Sequence, residues 1–239
     1  MNNKYELLAD KTITSCGHKL FRIRALVAFA DVKPGDEGGY VESENNLSVC
    51  GNAWVYGDAQ VCENARVAGN ARVSDKAWVA GNARVFGDAR VFGDAQVSGY
   101  AWVCNNACVY GKARVCDKAR VCGDACVYGD ARVCGDAQVC GNSQVYRDAW
   151  VSDNAHHLCI YPIGSRDDAI TFFRTKELKI SVVIGCFCGD IDQFEAQVQK
   201  THGDNSHAIA YALAAQLARA RIDLTGQTGS NKQDEGAEI

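Results

Sequence analysis

Histidine is absent from residues 45 through 155, although the 239-residue chain has five of them. No C-x-x-C spacing occurs anywhere. A zinc set of histidines and closely spaced cysteines therefore has no raw material in that stretch, and no metal is expected. There is also no G-x-S-x-G elbow and no phosphate-binding P-loop. Apolar runs such as residues 25–30 are far too short to cross a bilayer, and the polar, charged start from Met1 to Lys11 is not a secretory signal. The expectation is a cytoplasmic protein with no membrane association. Charge of one sign is lacking too: residues 45–158 hold 11 acidic and 11 basic side chains within a formal net charge of -4. Duplex binding needs clustered Lys and Arg, so nucleic acid is not an expected partner. Thirteen cysteines are present. An odd count without an export signal is read as reduced thiols rather than a disulfide framework.

What the chain does have is a period of six. Gly51-Asn52-Ala53-Trp54-Val55-Tyr56 is followed by Gly57-Asp58-Ala59-Gln60-Val61-Cys62, and nineteen such units run from Asn45 to Leu158 without an insertion. Each reads turn, turn, Ala, variable, Val, variable. In a strand, Ala and Val share one face and the residue between them points the other way. The small residues then line an interior, and Gly followed by Asn or Asp suits a tight corner. Three units close a triangular coil of eighteen residues, so residues eighteen apart stack at about 4.8 Å.

The uninterrupted hexads resemble the hexapeptide-repeat superfamily. That resemblance covers residues 45–158 and implies a left-handed parallel β-helix of about six triangular coils, assembled as a homotrimer. The fold class is thus mainly β. Residues 1–44 are expected to form an N-terminal β cap, with strands at 5–8, 11–15 and 19–29 and a hairpin turn at Cys16, Gly17 and His18. Residues 159–224 read as a ββαα module, with a hairpin from 169–174 and 178–186 and helices at 190–201 and 207–224. Gly203 suits a helix end, and Asn205 or Ser206 a helix start. Residues 225–239 read as a disordered tail. The whole arrangement is similar to hexapeptide-repeat proteins of enterobacteria and their prophages, which are often labelled acyltransferases from the repeat alone.

Sorting the slot after Val by coil gives three unequal columns. One carries Tyr56, Ser74, Phe92, Tyr110, Tyr128 and Tyr146. Stacked rings suit subunit packing or a flat ligand, which makes the five aromatics a candidate binding face. The second holds Cys50, Ala68, Phe86, Cys104, Cys122 and Cys140, and the third Cys62, Ala80, Ser98, Cys116, Cys134 and Ser152. Cysteine here reads as a small, adaptable side chain. Arg66, Arg84 and Arg120 share one face and Arg114 and Arg132 another, with Asp88, Asp94, Asp124 and Asp130 at corners to neutralise them.

The superfamily resemblance implies that an acyltransferase would place a catalytic histidine on the helix, often under an inserted loop. This array has neither, and the three metal-binding histidines of the γ-class carbonic anhydrases have no counterparts. His156, in an outward slot of the last unit beside the inward His157, is the remaining candidate base. His202, Asp204 and His207 form a second polar group, which helix capping explains. The reading is a non-catalytic oligomeric scaffold or binding protein that engages a host protein or a small ligand, as a phage or prophage accessory factor would. Its alternative is an acetyl-CoA-dependent acyltransferase using His156. No cofactor is expected otherwise.

Overall fold

A pair of small apolar residues repeated every six positions can form only very short strands, because each corner interrupts the extended backbone. In the computed structural model, which describes residues 3–225, two-residue strands run from Trp54–Val55 to Trp150–Val151. Strands one coil apart pair in parallel and in register, Trp54 with Arg72, Arg72 with Arg90, and Arg90 with Cys108. Three walls of such strands make a β-solenoid of about six turns. Backbone N–H groups donate from one coil to the next, as from Arg90 to Ala107 at 2.9 Å and from Tyr110 to Val127 at 3.0 Å. The Ala and Val columns point inward and are fully buried, Ala107, Val109, Ala125 and Val127 among them. An interior this narrow admits nothing larger over most of its length.

The corners require left-handed backbone. Gly99 has φ +66°, and where glycine is missing Asp75, Asn105 and Asp117 take the same conformation at φ 61°, 59° and 58°. Asx side chains then run up the outside, Asn52 donating to Asn70 (3.1 Å) and Asn70 to Asp88 (3.0 Å).

The first coil is closed by β1 (Tyr5–Ser15), β2 (His18–Ala25) and β3 (Glu37–Val41). These are not a separate layer. β3 pairs in parallel with Gln60–Val61, so the antiparallel β1–β2–β3 sheet extends one wall of the solenoid. The buried Lys4 ammonium donates to the carbonyls of Ser48, Gly51 and Ala53 at 3.2, 3.0 and 2.8 Å, which satisfies the acceptors at the open end. Burial lowers this amine's pKa to about 8. Trp54, 1 % exposed, is buried beneath the cap, with Phe29 edge-on at 5.3 Å and Tyr5 at 6.1 Å.

Several expected boundaries shift. The strands at 5–8 and 11–15 are one element with an irregularity between Leu8 and Thr12, and the next strand ends at Ala25 instead of 29. β3 is a strand beyond those expected for the cap. A Cβ on Gly38 or Gly39 would stand 2.5 Å from the Val55 or Ala59 carbonyl, so its paired glycines permit close packing. The array also ends earlier than 158. Asn154–His156 is a single 3-10 turn, and His157 opens a new sheet.

That sheet is antiparallel and four-stranded, with β4 (His157–Ile163), β5 (Asp168–Arg174), β6 (Ile180–Ile184) and β7 (Phe187–Asp190). The ββαα reading thus lacks two strands. One was hidden in the last hexad, and the other is a four-residue strand containing Gly189. Helices α1 (Ile191–His202) and α2 (Ser206–Arg221) follow. Asp190 and Gln193 form a capping box, Gly203 ends α1, and Asn205 caps α2. Ala208, Tyr211, Ala215 and Ala218 pack against Phe172 and Phe194. At the junction with the solenoid, Thr171 Oγ1 accepts from the Gln144 N–H at 3.0 Å. Among the described residues no helix is long and apolar enough to cross a membrane. The tail expected beyond Thr225 lies outside the described residues.

Two glycines with the same backbone conformation separate local strain from coil stacking. A Cβ on Gly99 would meet the Asp117 nitrogen at 2.8 Å, whereas one on Gly141 meets nothing within 4 Å. Left-handed backbone should cost each alanine variant about 1 kcal/mol, and overpacking should cost Gly99→Ala about 1–3 kcal/mol more. Denaturant midpoints of the two variants check this, and equal losses would remove the stacking constraint.

Candidate functional site

The in-register coils carry their outward side chains into true stacks. Phe92 and Tyr110 lie 4.8 Å apart with planes 2° from parallel, Tyr110 and Tyr128 4.8 Å apart at 1°, and Tyr128 and Tyr146 4.9 Å apart at 15°. Phe173 of β5 ends the stack edge-on to Tyr146 at 5.9 Å. Each such pair adds about 0.5–1.5 kcal/mol beyond area burial. Four of the five expected aromatics thus form one continuous face.

Tyr56 stands apart from them because Ser74 occupies the rung between it and Phe92. The missing ring leaves a cleft of about 420 Å³ lined by Asp31, Tyr56, Arg72, Ser74, Arg90 and Phe92. Its polar wall comes partly from the cap. Asp31, on the loop after β2, accepts from the Tyr56 hydroxyl at 3.0 Å and from Arg72 Nη1 and Nη2 at 3.2 and 2.9 Å. The Tyr56 hydrogen bond, aided by the Arg72 charge, holds the Asp31 carboxyl below the usual carboxylate range. Burial, then the bond to Asp31, pushes the Tyr56 hydroxyl up to about 12. Arg72 also lies over the Tyr56 ring, 5.7 Å from its centroid. Among the described residues Arg90 enters no ion pair. The cleft therefore joins two aromatic walls to a positive edge. Sequence patterning could align Ser74, Arg72 and Arg90 by their period, but nothing in it brings Asp31 from the cap.

The basic and thiol columns depart from expectation. Arg84 and Arg120 sandwich Trp102, with guanidinium carbons 5.5 and 4.7 Å from the ring, and Arg132 covers Trp150 at 5.2 Å. Asp88 and Asp124 instead accept from Asn70 and Asn106. Corner and strand positions are separated along each coil, so the arginines find aromatic faces before carboxylates. The all-reduced reading of the cysteines also fails. Cys122 and Cys140 are joined by a disulfide, their Cα atoms 4.7 Å apart, because coil stacking sets the thiols side by side. Nor are the cysteines without a candidate metal cluster, since donor atoms of Cys116, Asp117 and Cys134 all lie within 4.8 Å of one another.

His156 is not in an outward slot. The 3-10 turn folds it inward to 7 % exposure, where Nδ1 accepts from the Ser152 N–H and meets Ser152 Oγ, both at 3.2 Å. Burial, and then the Arg174 guanidinium, lowers its pKa below 6.5. Its accepting nitrogen is thus engaged by the chain itself. His157 Nε2 meets Ser143 Oγ at 2.9 Å, and that hydroxyl donates to the Cys140 carbonyl at 2.6 Å. Ser143 takes an interior Ala position and is fully buried, so this contact closes the far end of the core. At the helix junction, His202 and His207 rings lie edge-on at 5.9 Å, while Asp204 receives Gln199 at 3.5 Å. The second polar group does not converge on one point.

In comparison with known families, the repeat described as YdcK Beta solenoid repeat matches residues 59–75, 83–99 and 119–136. The array is thus a β-solenoid, three stretches of which are similar to that repeat. No curated protein matches the chain.

The two histidines give stability a defined pH response. Burial, with the Arg221 charge second, depresses His157 to about 4 in the fold, below its ordinary 6.5. The unfolded chain therefore takes up the proton first. The contribution of this group should be flat above pH 6.5 and fall by up to about 1.4 kcal/mol per pH unit between 6.5 and 4, with His156 adding in the same direction. Urea unfolding of His157→Gln across that window should lose this component of the slope. An unchanged slope would place the titration elsewhere.

Proposed function

We propose that the protein is a non-catalytic binding scaffold that holds a planar, anionic small molecule in the cleft at Ser74 and assembles as a homotrimer. The interrupted ring stack is the observation that carries the binding reading. Tyr56 and Phe92 are two coil steps apart, about 10 Å, and one flat ring in the missing rung would restore the spacing found from Phe92 to Tyr146. Arg72 and Arg90 supply charge for a phosphate or carboxylate, and Asp31 orients Arg72 in advance of binding. Aromatic surface with a few convergent polar groups is the usual make-up of a ligand cleft. The engaged Nδ1 of His156 and the loopless array favour binding over acyl transfer.

The assembly reading draws on α2. Ile209, Leu213 and Leu217 are 57 %, 60 % and 49 % exposed, on the side away from the helix's own core. Such an apolar stripe on a surface helix is what a subunit contact uses. Three copies meeting through it would give the trimer that the hexapeptide resemblance implies.

Titration of the full chain with a nucleoside monophosphate and with an aromatic carboxylate should show saturable binding, while ribose phosphate should not bind. Ser74→Phe fills the rung and should weaken binding at least about tenfold, since stacking alone contributes about 1–3 kcal/mol per base. Unchanged affinity in that variant would remove the site. Saturable acetyl-CoA binding with acyl transfer that is lost in His156→Ala would overturn the non-catalytic reading. Native mass spectrometry should give a trimer that Leu213→Lys dissociates to monomer. A monomeric parent chain would end the assembly proposal.

A further inference from the structure

The third column offers chemistry that the cleft does not use. Cys116 and Cys134 stand one coil apart. Their sulfurs and the Asp117 carboxylate fall within 4.8 Å of one another. Asp117 Oδ2 is already held by the Gly135 N–H at 3.0 Å and lies 3.8 Å from Cys116 Sγ. Beyond Cys134 the column ends at Ser152, against the guanidinium of Arg174.

Arg174 is 1 % exposed, and its Nε and Nη2 donate to Trp150 O (3.4 Å) and Ser152 Oγ (3.2 Å). Its Nη1 is buried and has no hydrogen-bond partner. A buried cation with an unused donor calls for negative charge nearby. Asp223 provides it first, and Cys134 and Asp153 lie in the same field. The neighbouring Cys116 thiol lowers the Cys134 pKa first, against burial and the Asp117 charge, and the charges of Arg132 and Arg174 act in the lowering direction. Cys116 is pushed up in turn. Both thiols are half-buried, open enough for a small oxidant.

We propose that Cys116 and Cys134 form an oxidisable dithiol, a modification site for hydroperoxides in which Cys134 attacks and Cys116 resolves. The Cys134 thiolate attacks the terminal peroxide oxygen. An S–O bond forms, the O–O bond breaks, and hydroxide or alkoxide leaves and takes up a proton. Cys116 sulfur then attacks the Cys134 sulfenic acid, an S–S bond forms, the S–O bond breaks, and water leaves with the Cys116 proton. The dithiol loses two electrons and the peroxide gains them. The solenoid accommodates the product, because Cys122 and Cys140 are bonded across the same one-coil step.

Cys108 and Cys126 form an internal control. They stack across one coil too, but their thiols lie 3.7 and 3.8 Å from the Asn106 and Asp124 carbonyls, and burial raises Cys126 to about 11. Cys134, one coil from the Ser152–Arg174 contact, should therefore react faster than either thiol of this pair.

The test uses the full chain carrying Cys122→Ser and Cys140→Ser, reduced, desalted and exposed to hydrogen peroxide at neutral pH. Samples are alkylated over time and mapped by tryptic mass spectrometry. Residues 115–118 should become disulfide-linked to residues 133–147, faster than any Cys108–Cys126 product forms. Cys134→Ser, a residue this column already holds at 98 and 152, should keep the fold by circular dichroism and leave Cys116 alkylatable. Equal rates for the two pairs, or Cys116 and Cys134 still alkylated after excess peroxide, would overturn the proposal. So would stoichiometric Cd²⁺ uptake lost in Asp117→Asn with no disulfide formed, which would assign the cluster to a soft metal ion.

Discussion

Every ladder in this protein depends on the parallel register of one coil on the next. Backbone N–H groups reach carbonyls one coil along, at about 2.9 Å in most steps, and this bonding holds residues eighteen apart directly above one another. A shift of one residue would turn the Ala and Val columns outward and expose the core. The register therefore has the hydrophobic interior as its enforcement. Once it is set, any outward residue type repeated at the same interval must stack on itself, whatever its chemistry.

The consequences differ by side chain. Rings gain from a spacing near 4.8 Å and form a continuous face. Some arginines stand directly above one another, as Arg72 and Arg90 do, while Arg84 and Arg120 flank Trp102, whose faces accept both. Thiols come close enough to share a bond. A position that breaks its column acquires meaning by contrast, and Ser74 leaves a slot between two rings. The proposed ligand cleft and the proposed dithiol thus arise from one geometric cause.

A solenoid pays for this regularity at its ends, where carbonyls and N–H groups lose their partners. The front is closed by Lys4, by the Tyr5 hydroxyl bonded to the Glu44 and Leu47 carbonyls, and by Asn46 bonded to Glu63 and Ala65. The back is closed by Thr171, Asn154 and the Ser143–His157 contact. The terminal histidines thus belong to a region that must bury polar groups against the core.

The repeat, its coil length, the inward columns, the aromatic ladder and both helix caps around Gly203 were legible in the sequence, because each depends on local spacing or on a side chain bonding its own backbone. Asp31 beside Arg72, Arg174 beside Ser152, and the third cap strand at Gly38 and Gly39 were not, since those contacts join segments with no common period. Tertiary structure also decided the inward turn of His156, where the array stops obeying the rule that had placed it outside. Register is a property of the repeat and can be read from it. What meets the repeat at its ends and along its edges is set by long-range packing, which no interval in the sequence records.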